Sequence, residues 1–434
     1  KYPEVDSFQQ FITANGGSSN AYTALDHTNY FFDIKNSGLS EGLDRFGHFF
    51  INPLLSEEYV EREKNAVHSE YQMQIKDDGW RGYMVSKQAL NPTHPGHRFT
   101  IGSLDTLNGD VKADLDRWFK DNYSADQMGL VVLGKESLDE LQALAEPLFN
   151  QVPNNNIGPS HPAVPPFTSA QLPAQLSSKA LKNANRLSIS FPIPNTLAAY
   201  RNKPEHYVSN LLGHEGSGSL HSHLTQRGWI ELLGAGSQEF DHSTSLFSIE
   251  LMLTEQGKDH VPEIMGLVFA QLDNLRGIEP EAWRYAEQAK IAALAFQFQE
   301  KGSTVGFVYQ MAPRLNDYPP EDLLVAPYLM EAFEPAMIQD LLARLTPDNA
   351  LVELATPDFE SQTTEPWFGV PFDLVQAPLI TTRPQATELT LPEENPYLPQ
   401  DLALLPEDDA AIALAVDRPG LQLWLDTDVS FTTP

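Results

Sequence analysis

Two periodicities alternate along this chain, one helical and one of strands. In Ser7–Asn15 (SFQQFITAN), Phe8, Phe11 and Ile12 fall at helical spacing, and Gly16-Gly17 ends the run. Ser18–Leu25 and Thr28–Ile34 then read as two strands around Asp26-His27, a hairpin. Ser40–Phe50 predicts a short helix with Leu43, Phe46 and Phe50 inward, closed by Asn52-Pro53. Ser56–Trp80 predicts one long helix: Ser56 caps it, Glu57 and Glu58 suit its first turn, and nothing breaks it before Gly79. Asn91–Gly96 is a loop, Asp110–Tyr123 an amphipathic helix, Met128–Leu133 (MGLVVL) a buried strand and Ser137–Phe149 a helix.

Residues 152–185 lose this order. They are rich in Pro, Asn and Ser and read as a linker or the entry to a second domain. Beyond them come a strand at Arg186–Phe191, helices at His206–Leu212 and Leu220–Gly228, and small residues at Gly234-Ala235-Gly236. A strand at Ser245–Leu253 and helices at Val261–Leu275 and Glu281–Gln299 follow. The order helix, small residues, strand, strand, helix, long helix thus occurs twice, offset by roughly two hundred and twenty residues, which suggests an internal repeat of a whole domain. Chance similarity of element order is the competing reading. From Thr356 to Asp409 the Pro- and acid-rich chain reads as an extended linker, and Ala411–Val416 and Leu421–Asp426 as the first strands of a third domain. The expected fold is therefore α+β: tandem repeated domains, each a mainly antiparallel sheet with helices on one face, at 1–160, 161–390 and 391–434.

Composition narrows the function. Lys and Arg number 28 against 59 Asp and Glu, a net charge of −31, which argues against nucleic acid and favours cationic ligands. Forty-one per cent of residues are hydrophobic, without any run of membrane-spanning length. With no cysteine, disulfides and thiolate metal sites are excluded. Lys1-Tyr2-Pro3 opens without an initiator Met or signal peptide, and Ser430–Pro434 directly follows a strand-like run, so we expect a piece of a longer protein.

The candidate chemistry is a carboxylate pair. Glu63 and Glu70 lie seven residues apart, two helical turns, and so share one helix face. Alone, the pair reads equally as two solvated glutamates. His214, Glu215, His221 and His223 look like a metal cluster, but Gly216-Ser217-Gly218 interrupts the helix that would align them. His68 points away from Glu70, and His27, His94 and His97 have no ligand spacing.

Several segments, taken together and in order, resemble the insulysin/pitrilysin family of inverted zinc metallopeptidases, and its bacterial pitrilysin branch most of all. They are YPEVDSFQQFITANGGSSNAYTALDHTNYFF, EREKNAVHSEY, LNPTHPGHRFTIGSLDTL, GHEGSGSLHSHLTQRGW and NPYLPQDLALL. The resemblance implies a zinc site built on an H-x-x-E-H motif that lies upstream of the segment matching Tyr2-Pro3. It implies Glu70 as the distant zinc ligand and Glu63 as a glutamate supporting the catalytic site from behind. The strand after Gly-Gly-Ser-Ser would pair with the substrate backbone through Ser19, Asn20, Ala21 and Tyr22, although an ordinary edge strand remains a reading for Ser19 and Tyr22. Trp80 matches an aromatic near the site and could equally be core. Leu233, Gly234 and Gly236 match an exosite strand for the substrate's amino end, with His214 nearby.

The implied activity is a zinc-dependent endopeptidase acting on short peptides, with one Zn2+ per full-length protein. The sequence as given would be incomplete and inactive without the missing C-terminal half of its own chain. Other expected partners are peptides, with no nucleic acid and no membrane. A periplasmic or secreted setting is favoured over the cytoplasm. Two rivals stay open: a metal-free structural or partner subunit of the same fold, and an acidic peptide-binding protein without turnover.

Overall fold

The computed structural model describes residues 1–182, 185–379, 388–403 and 412–426. In chain order, α1 (Ser7–Ala14) leads to β1 (Ser19–Thr23), β2 (Thr28–Phe32), α2 (Leu39–Ile51), α3 (Glu57–Gln74) and α4 (Asp78–Ser86). Helices α5 (Val111–Asn122) and α6 (Leu138–Phe149) follow, then β3 (Ala174–Lys179) and β4 (Asn185–Pro194). Next come α7 (Pro204–Gly213), α8 (Leu220–Gln226), β5 (Ile230–Glu239), β6 (Thr244–Leu253), α9 (Glu255–Lys258), α10 (Val261–Arg276) and α11 (Ala282–Gln297). The chain continues through α12 (Thr304–Asp317), α13 (Pro335–Arg344), β7 (Leu351–Thr356) and β8 (Phe372–Val375) to a hairpin of β9 (Ala413–Arg418) and β10 (Leu421–Leu425).

Local chemistry explains most of these bounds. The Asp110 carboxylate accepts from Ala113 N at 3.0 Å and starts α5, while Ser137 and Glu140 form a reciprocal capping box on α6. The long helix expected over Ser56–Trp80 is in fact two. Asp77 Oδ1 accepts from Trp80 N at 3.0 Å, so a fresh N-terminus forms two residues before Gly79.

The architecture rests on a six-stranded sheet in the order β5-β6-β4-β7-β3-β8, antiparallel except for β3 and β7. One face carries Leu187, Ile189, Phe191, Ile249 and Val352 against α7, α8, α10 and α13. The opposite face is apolar only at the β3–β7–β8 side, where Ala174, Leu176 and Leu351 meet Met84 and Val85 of α4. Its β4–β6 side is polar, with Ser188 and Ser190 opposite Glu250 and Ser248. Helices thus cover one face, and α4 crosses onto part of the other.

Three readings fail. Residues 152–185 include β3, a strand inside the sheet, so they are not simply a linker. Its burial alternates, with Ala174, Leu176 and Ser178 inward, but only two of those three positions are large enough or apolar enough to announce a strand. Likewise β8 and the Glu365 turn lie within the supposed linker after Thr356, where Glu365 accepts from Trp367 N and Phe368 N at 2.7 Å. Met128–Leu133 is extended but joins no ladder among the described residues, and Met128, Leu130 and Leu133 are each about two-fifths exposed. Strand propensity is realised only where a neighbour supplies hydrogen bonds, and β2 pairs with β1 alone. The last expected strands appear as β9 and β10, while Ala411 and Ser430–Pro434 lie outside the described residues.

Candidate functional site

The β1–β2 hairpin presents the strand that the sequence singled out. Its register pairs Ser19 with Phe32, Asn20 with Phe31, Ala21 with Tyr30 and Tyr22 with Asn29. Ala24 N donates to His27 O and Asp33 N to Ser18 O, so the even-numbered residues of β1 face β2. The N–H and C=O groups of Ser19, Ala21 and Thr23 therefore point to the open edge. Asn20 Oδ1 covers one of them, accepting from Ala21 N at 2.8 Å. Ser19 Oγ is tied to Gln9 Oε1 at 2.6 Å. The Tyr22 side chain turns inward, with its hydroxyl 3.0 Å from His27 Nε2, so Tyr22 can serve an incoming strand through its neighbours' backbone and not through its ring.

The tip of this hairpin is acidic. His27 Nδ1 lies 2.8 Å from Asp26 Oδ1, which raises the imidazole's pKa and lowers that of the carboxyl. Glu239 at the end of β5 and Asp317 at the end of α12 face the same space. Partial burial, then like-charge repulsion, holds both carboxyls above their ordinary range. The tip opens on a cavity of about 2540 Å³ whose wall also includes Trp80, Glu250 and Glu353.

Glu63 and Glu70 both stand exposed on α3, whose one buried side chain is Val60. Neither has a hydrogen-bond or ion-pair partner among the described residues. Glu63 also borders an apolar pocket of about 420 Å³ between α3, α5 and the segment at Tyr2–Val5. Among the described residues no group of three or more His, Cys, Asp or Glu is arranged to hold a metal. An exposed, unpaired carboxylate fits a zinc site as one donor, and the chain as described does not complete the set.

The remaining candidates separate. Trp80 packs edge-on against Tyr83 at 5.9 Å beside the α4 core. Leu233 is buried, while Gly234 and Gly236 lie on the polar face of edge strand β5, where an added Cβ would meet open space. The histidines behave structurally. His214 Nδ1 accepts from Gly216 N at 3.0 Å within a turn, and His94 is buried with Nε2 3.1 Å from Asp241 Oδ2. Sequence reasoning missed α12, whose bearing on the hairpin no local pattern announced.

Comparison with known proteins follows this geometry. Residues 1–93 match a profile described as Insulinase (Peptidase family M16), residues 110–291 one described as Peptidase M16 inactive domain, and residues 296–434 one described as Middle or third domain of peptidase_M16. The chain is 35% identical over its whole length to insulin-degrading enzyme-like 1, peroxisomal, of Arabidopsis thaliana, covering 46% of that protein. It is also 35% identical to the insulin-degrading enzyme of Homo sapiens, covering 44%. The crystal structure of pitrilysin superposes on 98% of the chain with a TM-score of 0.89 at 27% identity, and the chain covers 46% of it. The chain thus spans about half the length of these relatives. Three profiles of one peptidase family in order along its length, and a solved fold shared over nearly all of it, establish that the chain belongs to the insulinase/pitrilysin (M16) family of peptidases.

Proposed function

We propose that this chain forms part of a zinc-dependent endopeptidase that cleaves short peptides. The observation that carries the reading is the open edge of β1, with outward backbone groups at Ser19, Ala21 and Thr23, in a chain that also holds two unpaired carboxylates on one face of α3. A peptide would add to β1 as an extra strand, its main chain exchanging hydrogen bonds with Ser19 and Ala21 once the Asn20 amide swings off Ala21 N. Glu70 would hold the zinc together with two histidines of an H-x-x-E-H motif outside this sequence, and Glu63 would orient that site from behind. When bound, the metal supplies Lewis acidity and an activated water. Without those histidines the sequence as given would be inactive.

Edge strand β5, with Leu233, Gly234 and Gly236, would receive the amino end of a longer peptide in the same way, the glycines leaving room above its polar face. The carboxylates Asp26, Glu239 and Asp317 would favour basic peptides. The proposal extends to domains at 1–160, 161–390 and 391–434, a division supported by the six-stranded sheet falling wholly within the second. It also extends to a periplasmic or secreted setting.

The test uses the protein at natural length with a quenched fluorescent peptide, with and without a chelator, and counts bound zinc. Cleavage abolished by chelation, with both zinc and activity lost in Glu70→Gln, is the expected result. A folded, zinc-supplied protein that neither binds zinc nor cleaves would make it a metal-free partner subunit. Peptide binding without turnover would make it a peptide-binding protein.

A further inference from the structure

An isolated two-stranded hairpin is marginal in water and needs packing on its faces to hold a shape. β1 and β2 are five residues each and, among the described residues, pair only with one another. One face is supported locally, where Phe32 meets Phe8 and Phe46 of α1 and α2 at ring distances of 5.8 and 5.1 Å. The other face carries Asn20, Tyr22, Asn29 and Phe31, and its cover comes from far along the chain. Tyr309 of α12 lies 5.3 Å from the ring of Tyr22 and 5.0 Å from that of Phe31. The Asn29 side-chain amide donates to the Tyr309 carbonyl at 3.0 Å, spanning 280 positions of sequence.

From these contacts we infer that Tyr309 is a positioning residue, clamping the β1–β2 hairpin from α12 so that the outer edge of β1 is flat and ready to receive a peptide strand. The inference rests on the peptidase reading for its functional consequence but not for the clamp itself. Tyr309 makes no hydrogen bond or ring contact with Ser19, Ala21 or Thr23 among the described residues. It acts through Tyr22, which lies on the peptide-receiving strand, and through Phe31 and Asn29 on the strand behind. The Tyr22 hydroxyl, in reach of both His27 and Asn29 (3.0 and 3.4 Å), completes the fixed side of the hairpin. Tyr309 is itself 39% exposed, so replacing it opens no buried cavity. Its ring carries the contact, and its hydroxyl has no hydrogen-bond partner among the described residues.

The test is amide hydrogen exchange over 19–32, together with peptide kinetics, on natural-length protein carrying Tyr309→Ala or Tyr309→Phe. Tyr309→Ala is expected to speed exchange across β1 and β2 by about five- to a hundred-and-fiftyfold, the range set by losing two aromatic pairs. KM for a quenched peptide should rise by a similar factor while kcat changes less, and Tyr309→Phe should match the wild type in both. Unchanged exchange in Tyr309→Ala overturns the inference. So does failure of Tyr309→Phe to restore protection. If Tyr309→Ala lowers the global melting temperature, Asn29→Ser decides instead: faster exchange confined to 19–32 supports the clamp, and none overturns it. Wild-type protein that cleaves nothing sinks the peptidase reading, while the exchange result still decides the clamp.

Discussion

The two hairpins of this chain, β1–β2 and β5–β6, occupy equivalent places in a repeated order of elements, yet they are stabilised differently. β5 and β6 are ten residues each, and β6 continues the sheet into β4, β7, β3 and β8. Phe247, Ile249 and Leu251 on β6 are fully buried against the helices of their own repeat. β1 and β2 are half as long, stop after two strands among the described residues, and contain one buried position, Asn29, at 7% exposure. The second hairpin is held by its sheet. The first is held by aromatic contacts from helices on both sides, one of them nearly three hundred residues away. One topology can thus be held by its own sheet in one place and by distant helices in the other, because a strand's stability depends on what covers it.

The largest expected break in this contrast lies in the sheet's core. Phe247→Ala should cost about 3–5 kcal/mol of unfolding free energy in denaturant titrations, since a fully buried ring leaves a cavity among close-packed neighbours. Phe31→Ala on the first hairpin should cost less than half of that, and equal losses would erase the distinction.

Next comes Glu205 of α7, the helix lying against β5. The residue is 5% exposed, Oε2 has no hydrogen-bond partner among the described residues, and burial pushes its pKa up to about 7. Lys203 cannot neutralise it fully, being engaged with the carbonyls of Tyr200 and Ala326 at 2.8 and 2.6 Å. With a folded pKa above the unfolded value, the native state binds more protons between about pH 4.5 and 7, so stability falls as pH rises through that window. The full effect is up to about 3 kcal/mol. Glu205→Gln should flatten the dependence of melting temperature on pH, and an unchanged slope would refute the assignment.

A smaller effect of the same kind belongs to the first hairpin. Hydrogen bonding to Asp26 raises the His27 pKa. That contribution is fully present below the imidazole's unfolded value and is lost as pH climbs through the folded one. Exposure at the tip keeps it below about 1 kcal/mol. Exchange protection of 19–32 should therefore be higher at pH 6 than at pH 8, a difference that His27→Gln removes. Smallest of all, Arg117→Ala breaks an ion pair with Asp114 whose side chains are 67% and 66% exposed. It should shift stability by less than about 0.5 kcal/mol in either direction. A larger loss would mean that α5 contributes more than its exposed position suggests.

Much of the architecture was legible because it is written in short-range chemistry. The hairpin around Asp26-His27, the amphipathic helices at 39–51 and 111–122, and the second repeat from 220 to 297 follow from periodicity and caps that act within a few residues. Asp77 and Asp78 contained the break between α3 and α4, but two adjacent acids before a glycine read as readily as a helix end. β3 was hidden because its buried side, Ala174, Leu176 and Ser178, carries a single large apolar residue, so the alternation of burial leaves little trace in AQLSSK. Of the candidate site, Glu63, Glu70 and the strand at 19–22 were found through resemblance, since neither acid composition nor spacing separates a ligand from a solvated glutamate.

The sequence by itself determined the identities and spacing of these groups: two glutamates two turns apart, a short strand after Gly-Gly-Ser-Ser, an acidic chain without thiols. Only the tertiary structure decided which strands are edges, that the Tyr22 ring turns inward, and that Tyr309 closes over the hairpin. The physical reason is range. Helical periodicity and caps are settled by bonds between neighbours, whereas an edge, a face and a clamp are properties of what another part of the chain does or does not cover.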